Sequence, residues 1–500
     1  MKEIYNEYKE SFKYFFYNKK YIISIIVIAI LSYGFILTHF TVGIDDLCFD
    51  RYLNKGYWLA TDRWGAVAIY KILGITKFTP IWLESIVVIL TIFMAIVLCS
   101  FIKKNLKVEI KDIEFILFSG ILISTPMLYI QLLYQTSSLT NIVSNFALII
   151  IAMIFYENFH KSKNKIIYCI GIVVMPLFIS MYEACCQTYV VFVLIIAFIS
   201  LVNGEKAKEV LKWIGIALGL LLFGIIFNIL IVSIIKIVLK NKLPKDFAYK
   251  GILWLEKPFK ESIQVLCYVL ISIINYIKSY IYLIIIGLCT SAVIAIKKNN
   301  LLYLFLYIGI IIANILINLM QLKFLLRIDT SWAITVAFMI MYLLIIPRKN
   351  KYIYLFATIL SIFILLHQTQ KINNNFYNDY IEYEKIKTIA FDIAEKINKN
   401  IEDDTKPIIY IYKDYIKNYK FKVEEVEIGQ GENLINWSSY AFEEPGVEMT
   451  KFINSLGYNF YDGIITVNEY KESIKKYKEI DDKEKQQDVM ETDEYIYVKI

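Results

Sequence analysis

Apolar residues in this 500-residue chain come in long runs rather than in amphipathic stripes. The first run, Tyr21 to Thr38, follows a basic and aromatic leader, Met1 to Lys20. Others cover 81–102, 113–133, 142–156, 166–181, 184–202, 213–239, 262–296, 301–320, 332–346 and 352–366. About 20 consecutive apolar residues in a helix cross the hydrocarbon core of a bilayer, so the pattern predicts roughly eleven spanning helices. The run at 262–296 is longer than one span and is interrupted by Asn275 and Lys278, which fits a re-entrant or interfacial first half. The first run ends without a small-residue cleavage pattern, so we expect a retained anchor with its N-terminus in the cytoplasm.

The lysines test that count, because short cytoplasmic loops carry the Lys/Arg excess. Counted from an inside N-terminus, the inner connections are "KKNLKVEIKD", "FHKSKNK", "NGEKAKEVLK", "KKNN" and "PRKNK", and all are basic. The outer connections hold residues 39–71, 134–141, 181–183, 240–261 and 323–331. Segment 240–261 is the misfit, since it too is basic. Either it is an interfacial helix whose lysines meet anionic headgroups or a phosphate, or the count fails there.

An odd number of spans leaves everything after about Gln368 outside, and the composition changes at that point. From 370 to 500 there are 27 Asp and Glu against 18 Lys and no Arg, whereas the rest of the chain is strongly basic. After a helical pattern at Phe376 to Ile397, strand-like runs such as "PIIYIY", "FKVEEVEI", "GIITV" and "EYIYVKI" alternate with the helical "MTKFINSL" and "EYKESIKKY". The expected organisation is a polytopic α-helical membrane domain at 1–369 and an extracytoplasmic α/β or α+β domain at 370–500. The tail has no glycine-rich phosphate loop, CxxC pair or hydrolase elbow, so it reads as a binding or capping domain.

Composition agrees with the membrane assignment: 58% hydrophobic and 20% charged residues leave too little polar surface for a soluble globule of this size. The mean hydropathy is +0.53. Seven scattered cysteines without a CxxC pair argue against a disulfide framework or a zinc site. Three histidines far apart in the chain make a histidine-rich metal centre a poor fit, although oxygen ligands could hold a divalent cation. No cofactor is implied with certainty.

Charges at the ends of spans are costly unless they face a cavity, and here they gather on the outer side. They are Asp45, Asp46, Asp62, Arg63, Glu84, Glu183, Arg327 and Asp329. Neighbouring carboxylates diverge, so Asp45 and Asp46 need different roles: one as a general base toward a hydroxyl, the other as a cap or cation contact. A plain helix N-cap in a solvated loop is an equally good account of the pair. In "DRWGAVAIYKILGI", Arg63 stands at the head of an interfacial helix. It could clamp a phosphate bidentately while Trp64 stacks on a sugar, or Asp62 and Arg63 could form a surface ion pair beside an aromatic anchor. Glu183 in "SMYEACCQTYV" has almost no solvated loop around it, which favours a buried role. Arg327 is a second phosphate candidate whose alternative is snorkelling or pairing with Asp329.

The stretch "GIDDLCFDRYLNKGYWLATDRWGAVAIYKIL", supported by "SMYEACCQTYV" and "LLRIDTSW", resembles the membrane glucosyltransferase family associated with O-antigen modification, within glycosyltransferase superfamily C. The resemblance implies a multi-pass enzyme of the bacterial cytoplasmic membrane. It would transfer a hexose, glucose in that family, with inversion from a polyprenyl-phosphate carrier to a hydroxyl of a surface glycan or lipid on the outer face. Asp45 or Asp46 would match the loop carboxylate that activates the acceptor, and Arg63 or Arg327 would steady the departing phosphate. The partners so implied are that donor, that acceptor and membrane lipids, with no nucleic acid. The competing classes are a polysaccharide flippase, which calls for midplane charges and paired repeats that the sequence lacks, and a polymerase, which calls for a large late outer loop.

Overall fold

The computed structural model describes residues 2–39, 41–42, 44–47, 49–54, 56–77, 79, 81–126, 135–239, 258–322, 330–345, 350–401, 406–411, 447–461, 467–480 and 487–499. The described parts of the apolar runs are helical. After α1 (Lys2–Tyr17) the chain turns at Asn18, whose side chain accepts a 3.1 Å hydrogen bond from the Tyr21 amide and so caps α2 (Lys19–Tyr33). Four short helices follow: α3 (Ile44–Leu47), α4 (Phe49–Leu53), α5 (Tyr57–Ala60) and α6 (Trp64–Ile72). Long helices then form α7 (Trp82–Asn105), α8 (Asp112–Ile123), α9 (Gln135–Glu157), α10 (Lys165–Ile179), α11 (Cys185–Val202) and α12 (Ala207–Leu239). The expected break in the run at 262–296 is a single 3₁₀ turn, Lys278–Tyr280, between α13 (Phe259–Ile277) and α14 (Ile281–Lys297). The remaining helices of this part are α15 (Leu302–Ala313), α16 (Leu316–Gln321), α17 (Thr330–Ile345) and the 50-residue α18 (Lys351–Asn400).

Among the described residues, six helices are long and apolar enough to cross a bilayer, and seven if the pair Asn6–Tyr17 and Lys19–Tyr33, bent by 70°, counts as one span. Three further apolar helices, α10, α15 and α17, are shorter than that length. The chain is thus a polytopic helical membrane protein with about six candidate spans, against eleven runs in the sequence. Part of the difference has a visible source. The run at 301–320 breaks at Asn314 into two helices, and the run at 113–133 is described only as far as residue 126.

Two compact units make up the described chain: 1–38 with 50–374, and 39–49 with 375–500. In the first, α10 packs along α12, α8 along α17, and α9 between α7 and α11. Its basic end is closed by a charge network that is buried at Lys104 and Glu157. Lys104 at the end of α7 pairs with Glu157 at 2.5 Å, and Glu157 also accepts a 2.9 Å hydrogen bond from the Tyr8 hydroxyl. Glu7 joins Lys104 at 3.3 Å and Lys161 at 2.6 Å. The network ties α1 to α7, α9 and the π-helical turn Asn158–Ser162.

In the second unit, β1 (Ile408–Ile411), β2 (Val489–Glu491) and β3 (Ile496–Lys499) form a sheet ordered β1-β3-β2. β1 runs parallel to β3, with Ile408 opposite Ile496, and β2 runs antiparallel to it, with Val489 opposite Val498. Alternation sends Ile408, Tyr410, Ile496 and Val498 to one face, against Ile386, Ala390 and Ile393 of α18 and Met449 and Phe452 of α19 (Val447–Ser455). Ile409, Met490 and Tyr497 take the other face, against Tyr470 and Ile474 of α20 (Val467–Glu479). The expected strands at "FKVEEVEI" and "GIITV" lie outside the described residues, apart from Val467 of the latter, which opens α20. Leu47 of α3 packs against the larger of these clusters, and α3 contacts α19. The acidic first loop therefore folds as part of the unit that contains the tail.

Removing one partner of a buried ion pair leaves the other charged and unpaired, at about 3–5 kcal/mol. Glu157→Ala leaves Lys104 with Glu7 alone and should lower stability by less than that figure, read as a drop in unfolding midpoint of detergent-solubilised protein.

Candidate functional site

The site of interest in the first unit begins at a tight turn. Trp58 of α5 is stacked between Tyr52 and Tyr70, at ring-centroid distances of 5.9 and 5.3 Å, which fixes α5 against α6. The chain then reverses at Asp62, whose φ of 67° is left-handed, a conformation that aspartate tolerates better than most residues. The Arg63 amide closes the turn on the Trp58 carbonyl at 2.7 Å, and Arg63 becomes the first residue ahead of α6.

Gly65 then decides how closely α6 approaches α10. A Cβ at this position would overlap the Leu177 carbonyl oxygen and the Ser180 hydroxyl. Without one, the Gly65 amide donates a 3.0 Å hydrogen bond to Ser180 Oγ. That contact brings the Asp62-Arg63-Trp64 turn against the end of α10 and the short connection, 180–184, leading into α11.

Two polar residues of α12 complete the arrangement. Trp64 Nε1 donates to Asn228 Oδ1 at 2.9 Å, and Asp62 pairs with Lys236 Nζ at 2.5 Å. Asn228 and Lys236 stand eight residues apart, about two helical turns, so one face of α12 holds both sides of the turn. The Arg63 guanidinium lies over the Tyr182 ring, 4.8 Å from its centroid. Among the described residues, the guanidinium and the Glu183 carboxylate form no hydrogen bond and no ion pair. Glu183 keeps an exposed face but is crowded by protein, which pushes its pKa up. Arg63 pulls the other way, Asp62 adds to the rise and Lys236 opposes it.

Behind this cluster lies a buried polar brace. Gln187 donates to the Asn314 carbonyl at 2.6 Å and to Ser331 Oγ at 3.0 Å, and its oxygen accepts from the Ile317 amide. Asn145 donates to Thr330 Oγ1 at 3.1 Å. These bonds satisfy the backbone where α15 breaks into α16, and they anchor the start of α17. Buried irregular backbone at membrane depth needs such partners.

Of the residues singled out from the sequence, Asp62, Arg63, Trp64 and Glu183 come together in this cluster. The expected surface pair of Asp62 with Arg63 does not form, because Asp62 turns to Lys236 instead. Asp45 and Asp46 lie on α3 in the other unit, where Asp46 is buried. Arg327 and Asp329 lie outside the described residues. Sequence reasoning missed Tyr182, Ser180, Asn228 and Lys236. A signal existed for the last two: polar residues spaced by about two turns in an otherwise apolar helix. Among the described residues, no group of three or more His, Cys, Asp or Glu could hold a metal ion.

The sequence pattern of the family described as Glucosyl transferase GtrII matches residues 34–346, which span the acidic loop, this cluster and the brace behind it. The chain belongs to the GtrII glucosyl transferase family. Members are glycosyltransferases, so this one works between a sugar donor and a glycan acceptor. No curated protein and no solved structure gave a match.

The raised pKa of Glu183 gives a signed expectation. The folded chain holds this proton more tightly than the unfolded chain, so ionisation works against folding as pH rises from the ordinary glutamate range through the higher folded value. Glu183→Gln should remove that part of the pH dependence. Melting temperature measured across the mildly acidic range should fall less with rising pH in the variant than in the natural protein.

Proposed function

We propose that this glucosyl transferase moves glucose from a polyprenyl-phosphate carrier to a hydroxyl of a cell-surface glycan or glycolipid, on the outer face of the membrane and with inversion. The observation that carries this reading is the Arg63 guanidinium, held over Tyr182 with no hydrogen bond or ion pair among the described residues, in a chain of this family. A planar fork of donors suits a phosphate oxygen pair, and a cation there offsets the charge that develops as the phosphate departs.

The steps balance as a single displacement. A carboxylate takes the acceptor hydroxyl proton. The oxygen then bonds to the anomeric carbon from the face opposite the phosphate. The bond from that carbon to the phosphate oxygen breaks, and its electron pair leaves with the phosphate, toward Arg63. Trp64, fixed by Asn228, offers a ring for the sugar, and the Asp62–Lys236 pair holds the turn.

Asp45 or Asp46 is the base in this proposal. Glu183 is the rival, because it shares a cluster with Arg63 and its pKa is raised toward the range useful in proton transfer. Transfer from a polyprenyl-phosphate sugar in isolated membranes separates them. Loss of the general base should cost roughly 10²–10⁴-fold in rate. We expect that loss in Asp45→Asn or Asp46→Asn and a smaller one in Glu183→Gln. The reverse order would move the base to Glu183, and full activity in all three would overturn the mechanism. Arg63→Lys keeps the charge but loses the fork, and should slow transfer roughly 10–100-fold.

Leu47 supplies a test of how the acidic helix is held, since it anchors α3 to the core of the second unit. Leu47→Asp should reduce transfer far more than Leu47→Met while membrane insertion is unchanged. Equal activity in the two would mean that this anchorage has no bearing on catalysis.

A further inference from the structure

At the basic end of the first unit, a cavity of about 450 Å³ opens between α1, α7, α9 and α10. Its walls are almost wholly apolar, with Phe12, Val97, Met153 and Ile167 among them. Tyr8 and Glu157 also line it, but their polar groups are engaged with each other, and Glu157 with Lys104. Water therefore finds few partners inside, and in a bilayer the natural filling is hydrocarbon.

The rim has a different chemistry. It is formed in part by the π-helical turn Asn158–Ser162, a geometry found often at functional sites. Ser162 and Lys9 line the opening. Lys163 and Lys165 follow directly in the chain and are exposed, and their ammonium groups have no ion pair among the described residues. Helix α1, bent by 70° from α2, forms one wall instead of continuing the span.

We propose that this cavity is a binding site for one anionic phospholipid: an acyl chain fills the apolar space, and the phosphate meets Lys163 and Lys165 at the rim. The charge of the rim selects an anionic headgroup, and the volume of the cavity suits a single chain. The site is separate from the Arg63 cluster, and its argument does not rest on the proposed sugar transfer.

The test is native mass spectrometry of the full-length protein, extracted in mild detergent and supplied with phosphatidylglycerol, phosphatidylcholine or a polyprenyl phosphate. The expected result is one tightly retained phosphatidylglycerol and little phosphatidylcholine. Met153→Trp, or Val97→Phe where that variant folds poorly, should abolish retention by filling the cavity. Lys163→Ala and Lys165→Ala should each weaken phosphatidylglycerol retention by roughly fivefold while leaving phosphatidylcholine unchanged. Equal retention of the two phospholipids, undiminished retention in both cavity-filling variants, or retention of polyprenyl phosphate alone would each overturn the proposal.

Discussion

In a hydrocarbon solvent each buried polar group must find its partner inside the protein, and this constraint governs the parts of the chain that hold the helices together. Gln187 bonds to Ser331 and to the broken backbone between α15 and α16, and Asn145 bonds to Thr330, although the side-chain oxygens of Asn145 and Asn314 have no hydrogen-bond partner among the described residues. Glu7, Lys104, Glu157 and Tyr8 pair with one another at the basic end. Arg63 and Glu183 stand outside that constraint, because both keep solvent-exposed surface. Each is held in position, Arg63 by a backbone hydrogen bond and an aromatic face and Glu183 by the turn between α10 and α11, yet the charged ends remain without a partner among the described residues.

The positions of the helices could be read from the sequence because hydrophobic run length is a local property. Runs at 81–102, 184–202 and 213–239 correspond to α7, α11 and α12 within a few residues at most ends. The Asp62-Arg63-Trp64 turn was legible for the same reason, as charge and aromatic character at the end of a span. Partners were not legible. Asp62 beside Arg63 suggests a local ion pair, but the left-handed turn at Asp62 sends the carboxylate to Lys236, 174 residues away in the chain. Which distant lysine receives it depends on how α6 crosses α10 and α12, and no local pattern encodes that crossing.

The acidic loop is a second case of the same limit. In the sequence, "GIDDLCF" is a short connection between apolar runs, with no cue that Leu47 should be anything but a loop residue. In the structure, Leu47 is shared with a core built from residues more than 300 positions later. The change of composition near residue 370 marks where the acidic tail begins. It carried no sign that α18 runs unbroken through that point, or that a segment from the other end of the chain folds with the tail. Long-range pairing of this kind leaves no periodic trace.

The two ion-paired clusters of the first unit show how solvent decides the use of a charge. Lys104 and Glu157 are both buried, so the pair is locked: desolvation of either ion alone would cost several kcal/mol, and separation is correspondingly disfavoured. Asp62 and Lys236 are equally close but substantially exposed, where a pair contributes about 1 kcal/mol or less. Such a pair can open at little cost. The two kinds serve the fold differently: a closed network fixes the helices, and a weak exposed pair leaves its surroundings open to solvent. The first kind stands at the basic end, and the second stands around Arg63.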